Sequence, residues 1–187
     1  MARLIHLNGP SRVGKSTLAH RYAADCPGTL CVDVDVLVGQ VDGWREDFSA
    51  AFTVAAAHGL ALAKSHLQDG QDVIVPQLVT IFDQGNLFEA AAAEVGARFV
   101  EVALLVDIEE HARRLREKKP AFAVEAGIQS RLETSDLAEK IRGHLAEYLI
   151  GRPDTIQLDT SGLTIDQTYV RLLNLLGACK PVQDEPR

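Results

Sequence analysis

The 187-residue chain has little of several features that would place it in a specialised class of protein. Lysines and arginines number 19 against 26 acidic residues, and this acidic balance argues against a general nucleic-acid binder. Long apolar runs are also missing near the start, where residues 4–7 are too few for a membrane span or a secretory signal. We therefore expect a cytoplasmic protein that does not bind membranes.

Cysteines are few as well, and the chain shows no internal repeat, low-complexity tract or linker rich in proline and glycine. The three cysteines Cys26, Cys31 and Cys179 are odd in number and lack metal-ligand spacing, so we expect buried or unreactive thiols. These absences predict one domain over residues 1–179, followed by a flexible tail at 180–187. Nothing in the sequence specifies an oligomeric state.

What the chain does have is a regular alternation of short β-rich runs and longer helical patterns. The patterns predict strands at residues 3–7, 29–34, 72–79, 98–106 and 154–158. They predict helices at 15–24, 45–67, 83–96 with Asp83 as N-cap, 107–120 opened by Asp107, 135–151 capped by Ser135, and 164–177 with a Thr164–Gln167 capping box. This order indicates an α/β fold, a five-stranded parallel sheet with helices on both faces. Ligands of such sheets bind at the carboxyl ends of the strands.

The segment between the first strand and the first helix carries the motif G-x-x-x-x-G-K-S/T in full, at residues 9–16. Its glycines let backbone amides converge on one centre, and the following helix adds its positive dipole end, so the loop is suited to phosphates. Lys15 is placed to bridge the β- and γ-phosphates, and the Ser16 hydroxyl to ligate Mg²⁺. We expect ATP and Mg²⁺ as cofactors, with GTP as the open alternative, and nucleotide contacts from Gly9, Ser11, Arg12, Val13, Gly14, Lys15, Ser16 and Thr17.

Two carboxylates follow the second predicted strand, at Asp33 and Asp35. Residues two apart in an extended strand share one face, so we expect both side chains to point the same way. The alternative is that one of them merely caps a turn or the next helix.

The phosphate loop, the Asp-x-Asp and a length under 200 residues together resemble the small ATP-dependent kinases of the shikimate and gluconate kinase type. The chain is also similar to chloramphenicol phosphotransferases, in which a Val-Asp pair follows strand 2 as Val34 and Asp35 do here. The resemblance implies that Asp35 binds the acceptor hydroxyl and takes its proton, and that Asp33 helps to hold magnesium. It covers the first third of the chain by motif, and the remainder by the order of elements.

The third predicted strand ends in Pro76 and Gln77, without the acidic residue that many P-loop proteins carry there. Members of the shikimate kinase type also lack it, and we expect Pro76 and Gln77 to line the acceptor pocket. Arg45 is a candidate contact for an anionic acceptor, with a surface ion pair as the alternative. For the neighbouring Trp44, packing in the core explains the residue as well as contact with the acceptor does.

Basic residues cluster at 113–119, after the fourth strand. The resemblance implies a lid at about residues 119–134 that closes over ATP, with Arg131 as its catalytic arginine. Arg114 or Arg116 is expected to face the nucleotide, although a solvated helix face is the alternative for each basic residue. By position alone, residues 159–162 are expected to hold the adenine.

These features predict a phosphotransferase that moves the γ-phosphate of ATP to a hydroxyl of a small molecule, either a metabolite or an antibiotic. A nucleoside or nucleotide kinase shares the same fold, but such enzymes present more arginines to the acceptor than this chain offers. A non-catalytic P-loop binding module is the third interpretation. The resemblance and the motifs together favour the small-molecule kinase.

Overall fold

The computed structural model describes residues 1–80, 86–117, 123–124, 126–127 and 136–177. Five strands of this part form one sheet: β1 (Arg3–Asn8), β2 (Leu30–Cys31), β3 (Val73–Val75), β4 (Arg98–Leu105) and β5 (Ile156–Asp159). Every pairing is parallel, and the spatial order is β2-β3-β1-β4-β5. The predicted α/β fold with a five-stranded parallel sheet is confirmed.

Helices surround the sheet: α1 (Lys15–Asp25), α2 (Val34–Val38), α3 (Phe48–Gln68), α4 (Leu87–Glu94), α5 (Ile108–Glu117), α6 (Leu137–Ile150) and α7 (Ile165–Leu176). The predicted capping box opens α7, since the Thr164 hydroxyl accepts from the Gln167 amide and the Gln167 side chain accepts from the Thr164 amide. The same helix ends at Gly177 in the left-handed conformation, as expected for a C-terminal glycine.

Apolar side chains of the sheet alternate between two cores, because successive residues of a strand point to opposite faces. On one face Leu4 packs with residues of α3 and α4 such as Ala55 and Phe88. On the other face Ile5 and Leu7 pack with α1 and α7. Since both faces are covered, most residues of the central strands are apolar, and the sheet edge at their carboxyl ends remains for a ligand.

The second strand is shorter than the predicted 29–34, and the prediction that Asp33 and Asp35 share one face of a strand was wrong. Asp33 is the N-cap of α2, where its Oδ1 accepts from the Asp35 amide at 3.2 Å, and Asp35 lies in the first helical turn. The capping preference of aspartate outweighs the β-propensity of the flanking valines.

Helix starts and strand ends differ from the predictions at several other places. The N-cap of α4 is Asn86, whose Oδ1 accepts from two amides of the first turn, and not Asp83, which lies outside the described residues. Helix α3 begins at Phe48 after the cap Asp47, not at residue 45. Strand β3 is confined to three residues, because Pro76 has no N–H to continue the ladder.

The N-cap of α6 is Asp136, one residue after the predicted Ser135, which lies outside the described residues together with Cys179 and the tail. Cys31 is a free cysteine, and burial together with the nearby Asp33 raises the pKa of its thiol to about 12. Cys26 is disulfide-bonded, so the expectation of thiols was wrong for that residue. In the part of the chain that the structure describes, no helix is long and apolar enough to cross a membrane.

Candidate nucleotide and acceptor site

The phosphate loop turns sharply between β1 and α1. Gly9, Arg12 and Gly14 all have positive φ angles, of 146°, 68° and 110°. A Cβ atom at Gly9 would lie 2.6 Å from the carbonyl oxygen of Leu104, so only glycine fits there. Arg12 is the residue other than glycine that adopts this conformation among the described residues, and such strain is typical of ligand-binding loops.

Lys15 lies over the loop that it follows. Its Nζ donates to the carbonyl oxygens of Gly9, at 2.8 Å, and Pro10, at 3.0 Å. Helix α1 starts at Lys15, and its N-cap Gly14 has no side chain to bind the amides of the first turn. An ammonium group and a helix N-terminus therefore meet at one point, which is the arrangement that binds phosphate anions.

Asn8, the last residue of β1, fixes the start of this loop. Its Oδ1 accepts from the amides of Gly9, at 2.8 Å, and Val79, at 3.0 Å. Its Nδ2 donates to the Val79 carbonyl at 2.9 Å and to Glu101 at 3.1 Å. One buried amide therefore joins the phosphate loop to the segment that follows β3, a role that no sequence motif indicated.

His111 and Arg142 support the loop from outside. The Nε2 of buried His111 lies 2.9 Å from the Ser11 carbonyl oxygen, and its Nδ1 lies 2.9 Å from a guanidinium nitrogen of Arg142. Because a guanidinium only donates, Nδ1 is the acceptor, and Nε2–H donates to Ser11. Burial lowers the pKa of His111, and the charges of Arg142, Lys15 and Arg114 act in the same direction. A neutral imidazole thus holds the loop, and nothing in the sequence had marked either residue.

Arg114, predicted to face the nucleotide, bridges the phosphate loop and the segment after β5. It donates to the carbonyl oxygen of Thr160 at 2.7 Å and to the Thr160 hydroxyl at 3.0 Å, and contacts the Val13 carbonyl at 3.4 Å. Hydrogen bonds from Arg113 and Arg114 lower the pKa of Glu110 to about 2. Arg116 of the same helix is exposed. Arg114 and Arg116 point about 200° apart around the helix, because they are two positions apart and each residue adds about 100°.

These elements enclose a cavity of about 400 Å³ beside the phosphate loop. Its walls come from the loop, α5 and the start of α7: Arg12, Val13, Gly14, Thr17, Glu110, Arg113, Arg114, Glu117, Leu163, Ile165 and Thr168. This volume lies within the range of about 300–1,000 Å³ that is usual for small-molecule sites. Residues 159–162, predicted to hold the adenine, lie just before its apolar wall of Leu163 and Ile165.

Asp33 lies against α1, on the face that carries Ser16. Its Oδ2 is buried, has no hydrogen-bond partner among the described residues, and lies 3.7 Å from Nε2 of His20. His20 is four residues after Ser16 and therefore on the same side of the helix. A buried carboxylate oxygen one helical turn from a serine hydroxyl suits Mg²⁺, which prefers oxygen ligands and keeps several of its waters.

Asp35 is half-buried, and its neighbour Val34 lines a second cavity of about 220 Å³. Gln77, predicted for the acceptor pocket, is part of this lining, whereas Pro76 and Arg45 are not among the described lining residues. Arg45 is exposed, and its guanidinium lies 4.3 Å above the ring of Trp44. The remaining prediction at this site, Arg131, lies outside the described residues with most of the expected lid.

A buried polar cluster lies behind the two cavities, centred on Glu101 of β4. Its carboxylate contacts five polar side chains within 3.3 Å: His6, Asn8, Tyr148, Arg152 and Thr155. Burial alone raises the pKa of Glu101, but hydrogen bonds and the charge of His6 outweigh it and lower the pKa to about 2. His6 is buried, and it also contacts the Gln77 carbonyl oxygen at 2.7 Å. The cluster therefore reaches the segment that lines the acceptor cavity.

A family model described as an AAA domain matches residues 4–139, well over half of the chain. The matched range contains the phosphate loop, both aspartates and the arginines of α5. The chain belongs to this AAA domain family. No curated protein sequence matches it.

Solved structures with the same fold include kinases and a resistance protein. The tunicamycin resistance protein of Deinococcus radiodurans is 19% identical, with a TM-score of 0.64 over 96% of this chain and 98% of that one. Thymidylate kinase of Candida albicans is 15% identical, with a TM-score of 0.59 over 97% of each chain. Shikimate kinase of Bacteroides thetaiotaomicron is 18% identical, with a TM-score of 0.58 over 95% of this chain and 99% of that one. The fold is that of the P-loop kinases, as the sequence resemblance implied.

Proposed function

We propose that the protein is an ATP-dependent phosphotransferase that moves the γ-phosphate to a hydroxyl group of a small molecule. The observation that carries the proposal is the position of the two aspartates relative to α1. Asp33 lies 3.7 Å from His20, on the side of α1 that bears Ser16, and Asp35 follows two residues later. Carboxylates beside a phosphate loop are the groups that phosphoryl transfer to an alcohol requires.

In this proposal the nucleoside occupies the cavity of 400 Å³, and the triphosphate lies along residues 9–16. Lys15, which now bonds to carbonyl oxygens of its own loop, donates to the β- and γ-phosphates instead. Magnesium, when bound with the nucleotide, neutralises charge on the phosphate oxygens. Ser16 would hold the ion, and Asp33 would support it.

Asp35 acts as the general base. As the acceptor oxygen forms its bond to the γ-phosphorus, the hydroxyl proton passes to the Asp35 carboxylate. The bond between the γ-phosphorus and the oxygen that links it to the β-phosphate breaks, and ADP leaves. Asp35 lies in the first turn of α2, where its backbone amide donates to the Asp33 side chain.

A nucleotide kinase is the alternative, and the likeness to a thymidylate kinase concerns the fold that both groups share. The described lining of the 220 Å³ cavity contains no lysine or arginine to bind an acceptor phosphate, which favours a different acceptor. A binding module without catalysis does not explain a second cavity beside Asp35.

The direct test is acceptor-dependent release of ADP, measured over a panel of alcohols, sugars, nucleosides and aminoglycosides. Asp35→Asn should lower turnover with the best acceptor by about 10²–10⁴-fold, because the carboxylate base is lost, and should leave ATP affinity unchanged in calorimetry. Asp42→Asn, a change at an exposed turn residue, is the matched control and should retain full activity. Absence of ADP release with every acceptor would favour the binding module, and full turnover in Asp35→Asn would place the base elsewhere.

A further inference from the structure

The cavity beside Asp35 has walls that are almost entirely apolar. It lies between α2, α3, the segment after β3, and α4. Eight of its ten described lining residues are aliphatic or aromatic: Val34, Phe52, Ala56, Leu60, Leu78, Val79, Leu87 and Phe88. The other two, Gln77 and Thr80, are polar but uncharged. Such a surface binds its ligand by removing apolar area from water.

The volume limits what the cavity can hold. At about 220 Å³ it is smaller than the roughly 300–1,000 Å³ that accommodates a drug-sized ligand. A single ring or a branched alkyl group fits this space. The hydroxyl that receives phosphate then extends from that group toward Asp35, the residue after Val34.

Two cations on or beside the helices that line this cavity are already paired with carboxylates. On α3 the ammonium of Lys64 lies 2.5 Å from Glu94, and beside α4 the guanidinium of Arg152 lies 2.6 Å from Glu89. A carboxylate or phosphate entering the cavity would lose its hydration without meeting a cation among the described lining residues. Burying an unpaired anion is costly, so the walls discriminate against anionic acceptors.

Gln77 offers one polar contact inside these walls. Its Oε1 is buried and finds no donor among the described residues, while its main-chain carbonyl oxygen is occupied by His6. A buried acceptor without a partner is unfavourable, and a hydrogen-bond donor on a ligand would satisfy it. The side chain is neutral, so it adds no preference for an anion.

From these observations we propose that the acceptor is an uncharged alcohol whose body is one apolar ring or branched alkyl group. The inference rests on the proposed phosphotransferase function, because it names the class of acceptor at the same site. It separates this chain from enzymes whose acceptors are carboxylates or phosphates.

The test compares two probes that differ in one charge, 2-phenylethanol and 4-(2-hydroxyethyl)benzoate, by ligand-observed NMR titration of the protein. The neutral alcohol should bind about tenfold more tightly or better, because the carboxylate must be desolvated. Ala56→Leu fills the cavity and should weaken 2-phenylethanol by about tenfold or more. Ala57→Leu places the same side chain on the exposed face of α3 and should change binding by less than about twofold.

Equal or preferred binding of the carboxylate would overturn the inference, as would an Ala56→Leu variant that keeps its nucleotide affinity and binds 2-phenylethanol normally. The probe comparison in the unaltered protein does not depend on whether the variant folds. Transfer of phosphate to anionic acceptors, undisturbed by Ala56→Leu, would contradict the acceptor class while leaving the kinase function intact. Selective binding of the neutral alcohol without any transfer would support the pocket and contradict the kinase.

Discussion

The two cavities at the carboxyl edge of the sheet differ sharply in charge. The cavity beside α5 and α7 is lined by three arginines and two glutamates, whereas the cavity beside Asp35 has no charged residue in its described lining. Both cavities are formed on the same sheet and the loops that follow its strands. In the proposed phosphotransferase, charge is therefore concentrated where the phosphates bind, and the acceptor is recognised by shape and apolar contact.

The buried polar cluster around Glu101 connects the phosphate loop, next to the arginine-lined cavity (the nucleotide half), with the wall of the apolar cavity (the apolar half). It fixes the position of these two halves relative to each other. Asn8 bonds both to the first amide of the phosphate loop and to Val79 in the acceptor wall. His6 contacts the Gln77 carbonyl oxygen, and the side chains of Asn8 and His6 both contact the Glu101 carboxylate. Because these groups are buried and mutually bonded, displacement of one half disturbs the position of the other.

The largest expected effect is confined to the nucleotide half. Lys15→Ala removes the ammonium over the loop, and turnover should fall by about a hundredfold or more, because charge on the transferred phosphate loses its stabilisation. ATP affinity in calorimetry should fall as well, with an unchanged melting temperature. Binding of 2-phenylethanol should persist, since Lys15 does not line the apolar cavity.

Lys64→Ala removes an exposed ammonium from α3 and is the control. Normal ATP affinity in Lys15→Ala would contradict the assignment of residues 9–16 as the phosphate-binding site. Loss of 2-phenylethanol binding in the same variant would show that Lys15 also affects the apolar cavity.

A smaller effect is expected at Arg114, which holds the wall of the nucleotide cavity to the phosphate loop. Arg114→Ala breaks its bonds to Thr160 and should raise the KM for ATP by about tenfold, with a smaller change in kcat. Arg116→Ala, an exposed arginine on the same helix, should leave both parameters unchanged. Equal kinetics in the two variants would mean that the position of Arg114 has no functional consequence.

The smallest effect is a pH dependence of stability at His111. The pKa of this histidine is lowered in the folded protein, so below its ordinary value of about 6.5 the unfolded chain binds the proton more readily. The free energy of unfolding should therefore fall as pH decreases from about 7 toward 5. His111→Gln keeps a donor for Ser11 and an acceptor for Arg142 but does not titrate. Its free energy of unfolding, measured by denaturant titration at each pH, should therefore change less with pH.

His144→Gln, at an exposed position on α6, should follow the profile of the unaltered protein. Parallel profiles for the unaltered protein and His111→Gln would contradict a buried neutral imidazole at the loop.

Local signals in the sequence were sufficient for much of the architecture. The phosphate loop, the five parallel strands and the Thr164–Gln167 capping box each depend on neighbouring residues, whose chemistry is visible at short range. The basic cluster predicted Arg114 or Arg116 for the nucleotide, and the choice between them needs the structure, in which Arg114 bonds to Thr160.

Features that join distant segments could not be predicted in this way. Glu101 was hidden in an apolar strand pattern, and its partners come from β1, α6 and the segment before β5. His111 and Arg142 are 31 residues apart and meet only through packing of two helices. The prediction that Asp33 lies in a strand was wrong for another reason. A single hydrogen bond from the Asp35 amide to the Asp33 side chain begins a helix where the neighbouring valines favoured a strand.

The central claim is that the triphosphate, bound on the side of the arginine-lined cavity, faces the carboxylates of Asp33 and Asp35 at the start of α2. The most direct measurement is a crystal structure with magnesium and a non-hydrolysable ATP analogue. The account predicts the analogue's base in the cavity beside Leu163, the metal on the Ser16 hydroxyl with Asp33 in its water shell, and Asp35 facing the γ-phosphate. A bound analogue with both carboxylates directed away from its terminal phosphate would contradict it.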